Sequence, residues 1–234
     1  MLNPAGQPTP DPAQPAGWRR FDLATQADEA LTAAAAALAA GGLVVLPTDT
    51  VYGIAADALQ PAAVQALLDA KGRGRDMPPP VLISEPAMLR ALVADVPVEV
   101  ESLINRFWPG ALTLIMRAQS SLPMDLGRTE GTIAVRVPDH DGAREVLRHV
   151  GPLAVSSANI SGEPPATSVD EAIAQLGDSV AVYLDAGATP GPVASTIVDL
   201  ASTPTGRILR AGVIGHSELA VLLPSLADVP PSDA

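Results

Sequence analysis

Gly41-Gly42-Leu43-Val44-Val45-Leu46-Pro47-Thr48-Asp49-Thr50-Val51-Tyr52-Gly53 joins three kinds of local chemistry in one short segment. The paired glycines stop a helix. Residues 43–46 are an unbroken apolar run with two valines at its centre, which reads as a buried strand. Pro47 ends that strand, and a polar loop leaves it carrying two hydroxyls, a carboxylate and a phenol. Such a set at a strand end suits the rim of a small-molecule site. An ordinary capped turn would use the same residue types.

On the N-terminal side, Thr25 is placed to cap a helix with Asp28 and Glu29 in its first turn, running through the alanines to Gly41. On the C-terminal side, strands are expected at 52–58, 81–84, 111–117, 132–137, 153–156, 180–184, 196–200 and 208–210. Helices are expected at 61–71, 86–94, 97–107 and 141–149. A further helix opens at a capping box of Ser168 and Glu171 and ends at Gly177. This alternation predicts an α/β domain with a mixed sheet. The expected organisation is a disordered Pro-rich arm at 1–17, one domain at 18–222 and a weakly structured tail at 223–234.

Composition narrows the function. The chain has 234 residues, 47% hydrophobic and 17% charged, with no cysteine. Thiol catalysis, disulfides and thiolate metal sites are thereby excluded. His140, His149 and His216 lack metal-ligand spacing, so no resident metal is expected. Residues 30–46 are nearly free of polar groups, but they are Ala-rich, short for a span and broken by two glycines. The first residues lack the charged and apolar regions of a signal peptide, so Asn159-Ile160-Ser161 carries little weight as a glycosylation sequon. The expectation is a cytoplasmic protein with no membrane contact.

The net charge of −12 argues against a generic nucleic-acid binder, and 3% aromatics leaves few stacking platforms. The charge is uneven, however. Residues 71–150 hold ten of the fourteen basic groups and ten of the twenty-six acids, so this stretch is neutral between acidic flanks. Lys71 is the only lysine, set in Lys71-Gly72-Arg73-Gly74-Arg75. An ammonium and a guanidinium fork are not interchangeable on phosphate oxygens, and a site using one of each would retain both. A cationic pocket in an acidic body suits a small anion better than a long polyanion.

Gly-Lys-Ser/Thr, a strand-borne GxGxxG, HExxH and GxSxG are all absent. Other polar stretches follow strands: Ser156-Ser157-Ala158-Asn159-Ile160-Ser161-Gly162, Ala194-Ser195-Thr196, and Arg210-Ala211-Gly212. None is specific alone. Their order is informative together with Lys71-Gly72-Arg73, Pro109-Gly110-Ala111-Leu112-Thr113, Val135-Arg136-Val137-Pro138 and Ser195 to Asp199. With Pro47 to Gly53, this series resembles the YrdC family of threonylcarbamoyl-AMP synthases over about residues 25–215.

The resemblance implies a twisted, mostly open mixed sheet around a concave cationic cavity. It implies L-threonine, bicarbonate or CO2, and ATP as substrates, with Mg2+ as companion. It also implies a downstream threonylcarbamoyl transferase complex acting on tRNA. Thr50, Arg136, Ser157 and Ser195 fall where the family holds threonine. Lys71, Arg73, Thr132, Asn159, Thr167 and Arg210 fall where it holds the nucleotide, with Lys71 and Arg73 as the catalytic pair. The chain departs from its relatives at Met77-Pro78-Pro79-Pro80, where they carry Asn-Pro-Leu and a later polar residue, and Arg75 is the candidate substitute. No counterpart of the extra C-terminal domain of longer relatives is expected in residues 1–234. Two other readings compete: a double-stranded RNA-binding module without adenylation, and a carbamoyl-adenylate former. Acidity opposes the first, and absent cysteine and short length oppose the second.

Overall fold

A computed structural model describes residues 17–203 and 205–227. Among them are the strands β1 (Arg19–Asp22), β2 (Val44–Leu46), β3 (Gly53–Asp57), β4 (Val81–Leu82), β5 (Leu112–Arg117), β6 (Thr132–Arg136), β7 (Leu153–Ser157), β8 (Val182–Asp185), β9 (Thr196–Asp199) and β10 (Arg207–Arg210). They form one mixed sheet in the order β1-β8-β2-β3-β7-β4-β6-β5-β9-β10. β2 runs antiparallel to β3 and parallel to β8, while β5 runs antiparallel to β6 and parallel to β9.

Among the described residues, seven α-helices cover parts of the sheet: α1 (Ala27–Ala39), α2 (Pro61–Ala70), α3 (Leu89–Leu92), α4 (Val98–Phe107), α5 (Asp141–Val150), α6 (Val169–Leu176) and α7 (His216–Ala220). Helix α1 buries Ala30, Ala33, Ala34 and Leu38, a spacing of three and four that puts them on one stripe. That stripe shares a core with Ala143, Val146 and Leu147 of α5. The small alanines let the two helices lie close. α2 and α6 cover the opposite face around Tyr52 and Tyr183.

The alanine-rich stretch is thus a helix of 13 residues followed by a turn and strand. Among the described residues no helix is long and apolar enough to cross a membrane. Thr25 is not the cap of α1: Gln26 occupies that position and makes no side-chain cap bond. Asp22 explains the shift, because its carboxylate accepts from the Ala24 amide at 2.7 Å and so organises the turn itself. The helix expected over 86–94 is a 3₁₀ turn at Pro86–Met88 and one turn of α3. At α6, Ser168 accepts from the Glu171 amide as expected, but Glu171 reaches back to Thr167. β1 and α7 were not anticipated. β1 reads as a charged surface segment, and what places it is a parallel pairing with β8. The boundary drawn at 222 falls inside packed chain, since Leu223 and Leu226 are buried with Ile208 and Leu219. Residues 1–16 of the expected arm and 228–234 of the expected tail lie outside the described residues.

One part of the sheet departs from the two-sided burial seen at β2 and β3. On β5, Leu112, Leu114 and Met116 point into the core beneath α4 and α7, as do Val135 of β6 and Val198 of β9. The alternate residues Thr113 and Ile115 of β5, Thr132, Ala134 and Arg136 of β6, and Ile197 of β9 instead line a cavity. The two-residue period of a strand therefore supplies an apolar underside and a mixed upper surface from the same short segments.

Candidate active site

The cavity measures about 270 Å³ and is open to solvent. Its floor is the upper face of β5, β6 and β9. Gly53 of β3 and Ser156 and Ser157 of β7 form one wall, and Met77 to Pro80 with Leu126 form an apolar rim. Two glycines make this geometry possible. A Cβ on Gly212 would come within 2.4 Å of the Ala194 carbonyl oxygen and the Thr196 amide, so the backbone after Arg210 can lie against Ser195 only without a side chain. A Cβ on Gly53 would meet Val155 at 2.6 Å across the β3–β7 pairing.

Three guanidinium groups enter the cavity: Arg73, Arg136 and Arg210. Arg136, only 6% exposed, is held on three sides. Its Nε donates to the Gly110 carbonyl (2.9 Å), one terminal nitrogen to Thr50 Oγ1 (3.1 Å) and the other to Asp49 Oδ1 (2.5 Å). A guanidinium has five N–H donors, so two remain for a ligand. Arg210 donates to the Ser195 carbonyl (3.1 and 2.8 Å) and to Ser195 Oγ (3.0 Å). Arg73 donates to Ser156 Oγ at 3.1 Å, and its Nε is buried with no partner.

The electrostatics are unbalanced. Burial pushes the Arg210 pKa down, and the charges of Arg136 and Arg73 push it further in the same direction. Among the described residues no carboxylate pairs with Arg210. Burial also lowers Arg73, opposed by Asp76, and lowers Arg136, opposed by Asp49. Like charges held together in partial burial stay unfavourable until an anion arrives. Such a constellation is characteristic of a functional site rather than a structural one.

Lys71 sits at the C-terminal end of α2, 2% exposed. Its Nζ donates to the carbonyls of Ser157 and Asn159, both at 2.6 Å, with Asn159 Oδ1 at 3.4 Å. Burial, followed by the charge of Arg73, lowers its pKa to about 8. Lys71 and Arg73 therefore meet the same strand end, one through Ser157 and the other through Ser156.

Of the residues expected in the site, Thr50, Arg73, Thr132, Arg136, Ser157, Ser195 and Arg210 line one cavity. Lys71 and Asn159 lie just behind the Ser157 wall. Asn159 donates its amide hydrogens to the carbonyls of Ile160 and Glu163, both at 2.8 Å. Thr167 stands at the start of α6, its hydroxyl 3.0 Å from Glu171. Arg75 is spent elsewhere, on Gln65 (3.0 Å) and Asp125. Tyr52, a candidate rim residue, turns its hydroxyl to the Gly187 carbonyl at 2.6 Å. Thr113 and Ser156 stood within the stretches 109–113 and 156–162, but neither was given a binding role of its own. Thr113 carried a second signal, a hydroxyl between Leu112 and Leu114 in an apolar strand.

A mixed sheet with one upper face left open as a cationic, hydroxyl-lined hollow defines an α/β domain built to hold small anionic substrates. The chain belongs to the Sua5/YciO/YrdC family, whose family model, described as telomere recombination, matches residues 36–212. A Mycobacterium tuberculosis protein provisionally named threonylcarbamoyl-AMP synthase is 51% identical over 205 residues, 87% of this chain and 94% of its own. Human threonylcarbamoyl-AMP synthase is 34% identical, over 92% of this chain and 82% of its own. The Pyrococcus abyssi Sua5 structure complexed with L-threonine superposes with a TM-score of 0.84 at 32% identity, covering 90% of this chain but 62% of that one. Escherichia coli YciO, at 21% identity and a TM-score of 0.77, shares the fold.

Proposed function

We infer that this chain makes threonylcarbamoyl-adenylate and pyrophosphate from L-threonine, CO2 or bicarbonate, and ATP, for N6-threonylcarbamoyladenosine in tRNA. The observation that carries this reading is the trio Arg73, Arg136 and Arg210 in one cavity, with Asp49 the one carboxylate in ion-pair contact with them among the described residues.

The threonine nitrogen adds to CO2 and gives up a proton, forming N-carboxythreonine. That carboxylate attacks the α-phosphorus of ATP. The P–O bond to the β-phosphate breaks, and pyrophosphate leaves with the electron pair. Two anions must meet, so positioning and charge neutralisation carry the catalysis. The two unspent N–H groups of Arg136 clamp the threonine carboxylate, while Thr50, Ser157 and Ser195 surround the amino acid. Arg73 and Arg210 take phosphate oxygens, and Thr132 faces the nucleotide. Lys71 has two short bonds and one long one, so its third hydrogen is the one to reach a phosphate. Asn159 holds the loop that Lys71 grips, and Thr167 borders the nucleotide side.

Mg2+ belongs to the substrate as MgATP. Among the described residues no group of three or more His, Asp or Glu side chains could hold a metal ion, and Asp49 is already engaged by Arg136. The product passes to a threonylcarbamoyl transferase complex acting on tRNA in the cytoplasm. The test is incubation with ATP, bicarbonate and each amino acid in turn. Pyrophosphate released with threonine, and far less with valine or serine, supports the reading; release independent of amino acid overturns it.

A further inference from the structure

The hydroxyl of Thr113 is 2.8 Å from that of Ser195, and both residues are buried in the cavity floor. Either oxygen could donate on distance alone. Arg210 settles part of the accounting, because its terminal nitrogen donates to the same Ser195 Oγ at 3.0 Å. Among the described residues, Ser195 Oγ is the one hydrogen-bond partner of the Thr113 hydroxyl. In either arrangement one hydroxyl hydrogen finds no acceptor among the described residues: that of Thr113, 1% exposed, if Ser195 donates, or that of Ser195, 4% exposed, if Thr113 donates. Leaving a buried donor unmade costs more than a typical bond gains. The leftover hydrogen is less costly on Ser195, the more exposed of the two, so the favoured arrangement is Thr113 donating to Ser195.

A serine oxygen accepts two hydrogen bonds and donates one. With Thr113 and Arg210 filling both lone pairs, Ser195 keeps only its own hydrogen for the cavity. The geometry points to Thr113 as a positioning residue that makes Ser195 a dedicated donor, so that Ser195 meets an anionic oxygen of the carboxylated amino acid and not its N–H. This deepens the activity proposed above and rests on it. Strand register supplies the means: Thr113 and Ser195 reach one another because β5 and β9 run parallel, with Leu112 opposite Thr196.

The test is steady-state pyrophosphate release by wild type, T113V, T113S, S195A and the T113V/S195A double variant, with melting temperature measured on each. Valine preserves shape and removes the hydroxyl. T113V is expected to raise the threonine KM about five- to tenfold, the size of one net hydrogen bond, with kcat changed by less than about twofold. T113S is expected to keep KM within about twofold of wild type. In the S195A background T113V is expected to add nothing. If T113V does not fold, T113C, whose thiol is a weak donor, takes its place with the same expectations. An equal KM loss from T113V in both backgrounds, or a loss in T113S matching T113V, overturns this inference and leaves the activity standing. A wild type with no threonine-dependent release overturns both.

Discussion

Among the described residues, Arg136 and Asp49 form the one ion pair in which both side chains are mostly buried, at 2.5 Å and with 7% and 15% side-chain exposure. Asp49 also accepts from the Asp139 amide at 3.0 Å, so the carboxylate is held by the backbone as well as by Arg136. The pair orients one edge of the guanidinium and leaves the remainder for a ligand.

Arg136→Lys should therefore fail on geometry and not on charge. A lysine cannot bridge Gly110, Thr50 and Asp49 together. The expected result is a rise of at least tenfold in threonine KM. Arg136→Ala strands a buried carboxylate and should also cost about 3–5 kcal/mol of stability, read from urea denaturation.

Arg210 predicts the opposite trade. Its charge is opposed by Arg136 and Arg73, and among the described residues no acid forms an ion pair with it. Arg210→Met should leave the melting temperature unchanged or raise it, while kcat/KM for ATP falls about a hundredfold. Sites that hold like charges together commonly exchange stability for function in this way.

Lys71, in the role proposed above, predicts an alkaline limit. Its folded pKa is about 8 against an ordinary 10.5, so its charge is lost as pH rises through 8. In the free enzyme, kcat/KM should fall with an apparent pKa near 8, and in kcat the limb should lie higher because bound phosphate favours the ammonium. The stability sign is reversed. Between pH 8 and 10.5 the unfolded chain binds the proton that the folded chain lacks, so this group's contribution to stability rises with pH. Activity falling without unfolding, followed by circular dichroism over the same range, separates the two effects.

Gly212→Ala tests the backbone packing. The added Cβ would meet backbone atoms at 2.4 Å and nothing flexible, so the segment after β10 must move away from Ser195. A loss of about 2–4 kcal/mol is expected from overpacking at this site. ATP affinity should weaken with it, measured by calorimetry at a temperature where the variant is folded.

Much of this was legible in residues alone. The run 43–46, the Ala-rich stripe of α1 and the Ser168 cap follow from period, length and capping chemistry, which are local. The seven cavity residues were found through the order of short motifs and not through any one of them. What the sequence hid was non-local. β1 exists because β8 lies beside it, and its Arg-Arg-Phe-Asp pattern has no strand period of its own. Thr113 closed the motif Pro109-Gly110-Ala111-Leu112-Thr113, but its contact with Ser195 needed β9 to be brought alongside β5. Lys71 announced itself as a cation, but nothing nearby in sequence indicated that two carbonyls of the β7 loop would grip it.

In the proposed reaction, three guanidinium groups allow a carboxylated threonine to approach a triphosphate that repels it. Wild-type protein given ATP, threonine and ¹³C-bicarbonate, then quenched and analysed by mass spectrometry, tests this directly. A threonylcarbamoyl-adenylate carrying the label, formed together with pyrophosphate and lost in Arg73→Ala, is the expected result. ATP and threonine both bound, with no labelled adenylate at any time, would contradict it.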